Sequence, residues 1–335
     1  EYSGASGRDL GLGGSNDGII NINQLDPQHL ALGAALNDPV PNPFFGLPPG
    51  QGFAVTSPTI PRWRTLLPFP QFNQILMRQN TSGRSQYHAA ILKFEKRMTS
   101  GWGGRVNYTY SRLKDNQFGE GNTYSSTAGE AQNIYDLDAE YSLGLLDVPH
   151  KVVIAPMFQL PFGEGRRWAT SGVAAAVLGD WTLSSVITLE SGFPISVSNS
   201  TNTLSAFGFR VQRPHPTGVN PATSGSRSDR LDGGNPGLWL NREAFAQPGQ
   251  FELGTNPRTR GDVRTPHRNN WDFAAQKDIR LAGGHRATLR IEVLNITNTV
   301  KTTGPNTSFG SAQFGRIATQ RGFMRMTQLM FRYSF

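Results

Sequence analysis

The chain has 335 residues, a formal charge of +8 and no cysteine, which excludes a disulfide framework and thiolate metal sites. Lys and Arg are scattered and no helix concentrates them, so the basic balance does not point to nucleic acid. Mean hydropathy is −0.41 and no stretch approaches the roughly 20 apolar residues of a transmembrane helix; a β-barrel stays open, since it spends only alternate residues on lipid.

The opening stretch EYSGASGRDL reads as the end of a strand running into a loop. With no Met or secretory leader at Glu1, the chain reads as a processed or truncated piece of a longer one. After a Gly/Pro/Asn-rich connection over 11–85, period-two alternation predicts a strand at 86–98. Ala90, Leu92, Phe94 and Met98 share one face there, opposite Lys93, Glu95 and Arg97. The tight turn Thr99-Ser100-Gly101 leads to a strand at 101–113, where Trp102, Val106, Tyr108 and Tyr110 oppose Arg105, Asn107, Thr109 and Ser111. A long loop over 114–147 precedes a strand at 148–160 carrying Val152, Ile154, Phe158 and Leu160 on one face. The connection 160–180 is atypical and reads as a long turn with a short helix at 171–178.

Trp181, Leu183, Ile187 and Leu189 then oppose Thr182, Ser184, Thr188 and Glu190 in a strand predicted over 181–197, followed by a loop over 198–269. In the next strand, 270–281, Trp271, Phe273, Ala275, Ile279 and Leu281 oppose Asp272, Gln276, Asp278 and Arg280. The turn Ala282-Gly283-Gly284 joins it to a strand at 285–297, where Ala287, Leu289, Ile291 and Val293 oppose Arg286, Thr288, Arg290 and Glu292. After a loop over 298–322, the chain ends in a strand at 323–335. Leu329, Phe331, Tyr333 and Phe335 point one way; Gln328, Met330, Arg332 and Ser334 point the other.

Segments of about 10 alternating residues match what a tilted strand needs to cross a bilayer. The opposite face, rich in Arg, Lys, Glu and Asp, suits a wet lumen better than a second packed sheet. Lys93, Glu95, Arg97, Arg105, Arg280, Arg286, Arg290 and Glu292 are the candidate lumen charges, expected to cluster towards the periplasmic half of the wall as an ion-pair lattice that satisfies the lumen and contacts a plug, or as a basic surface guiding anionic substrates. Outward charges fall near strand ends, at Lys96, Arg112, Lys277 and Arg325, where they can snorkel. Trp102, Trp181, Trp271, Tyr108 and Tyr110 are candidate interfacial aromatics. Connections alternate between short and long, so counting strands puts Phe335 on the same side as the tight turns, the periplasmic side of an outer-membrane barrel.

These motifs carry a family resemblance. The stretches NQLDPQHLALGAALNDPVPNPFFG (23–46), YHAAILKFEKRMTSGWGGRVNYTYSR (87–112), DVPHKVVIAPMFQLPFGEGRRW (147–168), GDWTLSSVITLESGFPISV (179–197), NNWDFAAQKDIRL (269–281), LRIEVLNITNT (289–299) and the terminal FRYSF resemble, in order, the C-terminal half of TonB-dependent outer-membrane receptors of the Oar-like branch. The resemblance implies an all-β, antiparallel transmembrane meander in the bacterial outer membrane, supplying about eight strands of a barrel of about 22. It implies that residues 1–335 are the C-terminal part of one barrel domain, without the plug, TonB box and N-terminal regulatory-like domain of the parent. The implied partners are outer-membrane lipid, the barrel-assembly machinery, TonB through the missing N-terminal part, and an unidentified substrate, with no nucleic acid. The final aromatic strand resembles the signal read by the assembly machinery, which makes Leu329, Phe331, Tyr333 and Phe335 the candidate assembly residues.

No catalytic or metal motif competes. The six histidines are far apart, without a metal-ligand spacing, and His150 reads as structural or interfacial. Ser111 to Lys114, SRLK, fits a Ser-x-x-Lys pattern without its companion motifs, and GLGGSNDG at 11–18 lacks the setting of a phosphate loop. Asp229, Asp232 and Asn235, or Asp136 and Asp138, are the residues that would offer loop oxygens to Ca2+, against a simpler reading as solvated turns. The chain is therefore expected not to be an enzyme and to need no cofactor. A transporter barrel is the leading expectation; an outer-membrane anchor displaying its loops, and a soluble all-β binding domain, are the alternatives.

Overall fold

The computed structural model describes residues 1–12, 20–48, 56–78, 80–118, 130–231, 233–234 and 236–335. Its body is one antiparallel sheet of eight long strands: β1 (Tyr2–Leu10), β2 (Gly83–Thr99), β3 (Trp102–Asp115), β4 (His150–Gln159), β5 (Trp181–Glu190), β6 (Arg268–Arg280), β7 (Arg286–Leu294) and β8 (Met326–Ser334). Each pairs with its sequence neighbour, β1 through β8 in order, so the sheet is a meander. Helix is scarce among the described residues, where the longest α-helix is α1 (Gly172–Leu178).

All four long connections leave the sheet at one end and all three shorter ones at the other, as strand counting anticipated. Register confirms the two faces. Leu92 opposes Tyr108, Phe94 opposes Val106, and Val106 opposes Ile154. Further along, Ala275 opposes Ile291 and Ile291 opposes Leu329, which continues one apolar face across the sheet. That face is uncovered: Leu92, Phe94, Leu329 and Phe331 are each exposed by more than 60%. Among the described residues, the buried apolar side chains of the eight strands are alanines only, Ala89, Ala274 and Ala287.

Several strand boundaries shift by up to three residues, as where β7 ends at Leu294 and β8 begins at Met326, and two strands differ in ways that matter to the architecture. The strand expected over 181–197 ends at Glu190. A methyl group on Gly192 would fall on the Thr265 carbonyl oxygen, and this close approach turns the chain out of the sheet. Phe193 and Thr265 then exchange hydrogen bonds of 2.9 Å through backbone and hydroxyl groups. The alternation continues through Phe193, Ile195 and Val197, but those side chains are buried among the connections. The strand expected over 86–98 is longer, with 17 residues in β2. It breaks register near its end, where Lys96 opposes Gly104 but Thr99 opposes Trp102, a bulge that takes in Arg97.

The long connections are not structureless. They fold together into a cap around three apolar clusters. Leu12, Ile20, Phe118, Ala131 and Leu145 join the first two connections. Leu25, Leu30, Leu36 and Leu67 of the first meet Leu204, Phe207 and Phe209 of the third. Ile195, Val197, Trp239, Leu240 and Phe245 of the third pack on Phe314 and Ile317 of the fourth.

Candidate functional site

Three surfaces are candidates for function: the charged inner face of the sheet, its apolar outer face, and the cap. Strand pleating sets the first two, because successive side chains alternate across the sheet.

On the inner face Arg105 reaches Glu95 at 3.2 Å across the β2–β3 pair, and Lys93 pairs with Glu1. Arg97 joins Glu95 and Arg105 around an open groove of about 340 Å³ at the bulge. On β7, Arg290 meets Glu292 at 2.6 Å and Gln276 at 3.2 Å. Arg280 and Arg286 stand opposite each other with no acidic partner among the described residues. The eight expected lumen charges lie on β2, β3, β6 and β7 and do not all meet one another. They form two groups, separated by β4 and β5, whose inner-facing residues there are Val153, Ala155, Met157, Ser184, Val186 and Thr188. A third ionic group sits nearer the cap, where Glu190 takes Lys151 at 2.8 Å and also pairs with Arg268. Lys151 and Arg268 carry no marking motif; only register across β4, β5 and β6 brings them to Glu190.

The outer face places the expected aromatics at two levels. Trp102 and Trp181 lie at the short-turn end of β3 and β5, while Tyr108, Tyr110 and Trp271 lie towards the cap. Trp102 and Tyr110 are eight residues apart, about 27 Å along the strand and about 20 Å once tilted, close to the ~25 Å apolar band of an outer-membrane barrel. At the lower level Lys96 holds its ammonium 4.0 Å from the centre of the Trp102 ring. Lys277 lies opposite Trp181 and donates to the Gly179 carbonyl.

Histidines on this face pair with tyrosines of the adjacent strand. Tyr108 and His150 share a hydrogen bond of 2.8 Å and Tyr2 and His88 one of 2.6 Å. Tyr333 stacks on His285 with rings 10° from parallel and a hydrogen bond of 2.9 Å. Of the candidate assembly residues, Leu329, Phe331 and Tyr333 occupy the outer face of β8 opposite Ile291, Leu289 and Ala287, and Phe335 follows at the chain end.

Buried ion pairs hold the cap. Arg258, 2% exposed at its side chain, reaches Asp115 at 2.6 Å and donates to the carbonyls of Glu140, Asp115, Leu143 and Gln117. Burial pulls its guanidinium below the ordinary range and the Asp115 carboxylate pushes it back up. Arg213 grips Glu140 with both terminal nitrogens, at 2.6 and 3.0 Å. Gln132 accepts from the Arg213 backbone at 2.6 Å and donates to the Gly254 carbonyl at 2.8 Å, while Gln24 donates to the Gln132 carbonyl at 3.2 Å. Arg264 closes on Asp147 at 2.7 Å. The network ties three connections together, and none of its members stood out in sequence. Its partners are 73 to 143 residues apart in aperiodic stretches, so no local signal marks them.

The remaining motif residues resolve into local contacts. Ser111 and Lys114 fall on opposite faces of β3, as an i, i+3 pair in a strand must, and Ser111 donates to the Val148 carbonyl at 2.8 Å. They therefore do not form an acyl-enzyme pair. Asp136 accepts from the Ala139 backbone at 3.1 Å and Asp138 pairs with Arg84 at 2.8 Å. Asp229 closes a capping box with Ser226. Asp232, Asn235 and most of GLGGSNDG lie outside the described residues. Among the described residues no group of three or more His, Asp or Glu is placed to hold a metal.

One family model matches the chain, over residues 1–328; its description is an outer membrane beta barrel domain. No curated protein matches.

Proposed function

Because the chain belongs to the outer membrane beta barrel domain family, and so to the bacterial outer membrane, we propose that it is the barrel portion of a TonB-dependent transporter for a large or scarce substrate. The observation that carries this reading is the two-faced sheet: one face uncovered and apolar, the other charged and incompletely neutralised. Arg280 and Arg286 oppose each other with no counter-charge among the described residues, an arrangement that costs stability unless something acidic faces it. A plug or a passing anionic substrate in the lumen supplies such a partner. The carboxylates and guanidiniums bind and guide; the proposed activity has no chemical step and no catalytic residue.

A second reading has its own observation. The cap is packed and pinned by buried ion pairs, as suits a rigid surface displayed by a barrel that serves as its anchor. Cross-linking of the full-length protein to TonB in whole cells separates the two. The transporter reading expects an adduct that disappears when the segment ahead of the plug is deleted; no adduct in the intact protein leaves the anchor.

Assembly is part of the same reading. Leu329, Phe331, Tyr333 and Phe335 form the apolar row of an edge strand, a surface suited to capture by strand addition. Phe335→Asp in the full-length protein should sharply lower the heat-modifiable, surface-exposed fraction. Normal surface levels of that variant would sink the assembly role.

A further inference from the structure

The connection between β4 and β5 contains α1, whose sequence GVAAAVL is apolar all round. Such a helix is ordinarily found buried, yet no residue of α1 is buried, and Val173, Val177 and Leu178 are 80%, 58% and 47% exposed. Nor is its N-terminus capped: the helix has seven residues, and Ser171 makes no capping side-chain bond. Helices shorter than about 12 residues are marginal in water, so α1 needs an apolar medium around it.

Its tethers say which medium. Trp181 donates from Nε1 to the Val177 carbonyl at 2.9 Å, and Lys277 donates from Nζ to the Gly179 carbonyl. Trp181 and Lys277 are neighbours on the outer face of β5 and β6, at the end away from the cap. Both bonds reach the C-terminal end of α1, which places that end at the margin of the lipid-facing wall. Trp168 of the same connection is half-exposed and packed against Phe162 at 5.8 Å between ring centres, with Arg166 and Arg167 exposed beside it.

We infer that α1 lies in the boundary between acyl chains and headgroups of the periplasmic leaflet, with Val173 and Val177 in lipid and Arg166 and Arg167 towards the headgroups. The occupant of its apolar surface is phospholipid, because that surface is joined to the wall that already meets lipid, and the exposed arginines of the same connection can reach headgroup phosphates. The connection then also serves the wall. By presenting the Gly179 carbonyl it satisfies the ammonium of Lys277, which is 8% exposed on the lipid-facing side.

Single-cysteine labelling tests this directly, since these 335 residues contain no native cysteine. Val173→Cys and Val177→Cys variants of the full-length protein would carry nitroxide labels in phosphatidylethanolamine–phosphatidylglycerol vesicles. Leu329→Cys sets the lipid reference and Ser224→Cys, exposed on the cap, the aqueous reference. Power saturation should show both α1 labels several-fold more accessible to oxygen than to a water-soluble nickel chelate, as at Leu329. Nickel accessibility matching Ser224 would put α1 in water and overturn the inference. Low accessibility to both reagents would mean that protein covers α1, and would overturn it equally.

Discussion

The sheet and the cap are made from the same chain and solve opposite problems. The eight strands bury almost no apolar side chain against protein, leaving Leu92, Phe94, Leu329 and Phe331 open on one face and charges on the other. The cap does the reverse, enclosing Leu25, Leu36, Phe118, Leu145, Val197, Leu240 and Phe314 in three apolar clusters and burying ion pairs such as Arg258–Asp115 and Arg213–Glu140. The difference teaches where each region finds its stability. The sheet relies on backbone ladders and on lipid as the solvent for its apolar face. The cap is a small water-facing core, subject to the packing and desolvation rules of soluble proteins. They meet at the open end of the long β2–β3 hairpin, which runs past the bilayer span into the cap, so that Asp115, the last residue of β3, takes part in the Arg258 network.

The largest effect should come from breaking that junction. Arg258→Met leaves Asp115, 5% exposed, without its counter-charge, and stranding a buried partner costs about 3–5 kcal/mol. The cap should loosen while the wall survives. Surface protease cleavage within 116–149 and 191–267 should rise sharply with heat-modifiable migration unchanged. Simultaneous loss of both would mean that wall and cap are one cooperative unit.

A pair of neighbours on β8 sharpens the contrast between the two faces of the wall. Leu329→Arg puts a charge on the outer face and should cost about 2–4 kcal/mol if that site is near the bilayer midplane. Gln328→Arg lands on the inner face opposite Glu292 and should change stability by less than about 1 kcal/mol. Urea titration of folding into lipid vesicles measures both; equal costs would refute the assignment of faces.

The smallest effect concerns pH and the cap alone. The Arg260 side chain donates to Asp262 and holds its carboxyl below the usual aspartate range, against the opposing effect of burial. A depressed folded value means that the contribution is complete above the ordinary unfolded value of about 3.9 and is lost as pH falls through the depressed one. Asp262 is half-exposed, so the contribution is well under about 1 kcal/mol. Denaturant midpoints read from Trp239 fluorescence should fall slightly less on acidification in Asp262→Asn than in the parent. An identical acid response in the two would remove Asp262 from the account.

Period-two alternation and tight turns were enough, by themselves, to settle the all-β class, the positions of the seven longer-predicted strands and the sorting of most side chains between two faces. They also settled that the long connections share one end. Each of these is written locally, in residues two apart or in a turn of a few residues, and needs no distant partner. What alternation does not encode is the medium that covers a face. Phe193, Ile195 and Val197 continue the pattern of Trp181 to Leu189, yet the first three enter the cap core and the others face outward. The close approach of Gly192 to Thr265, more than seventy residues away in sequence, decides between those fates. Tertiary structure likewise brought Arg258 to Asp115 and Glu140, and Arg213 to Glu140. Those contacts depend on how aperiodic loops pack and on the cost of leaving a buried charge unpaired, neither of which leaves a repeat in the chain.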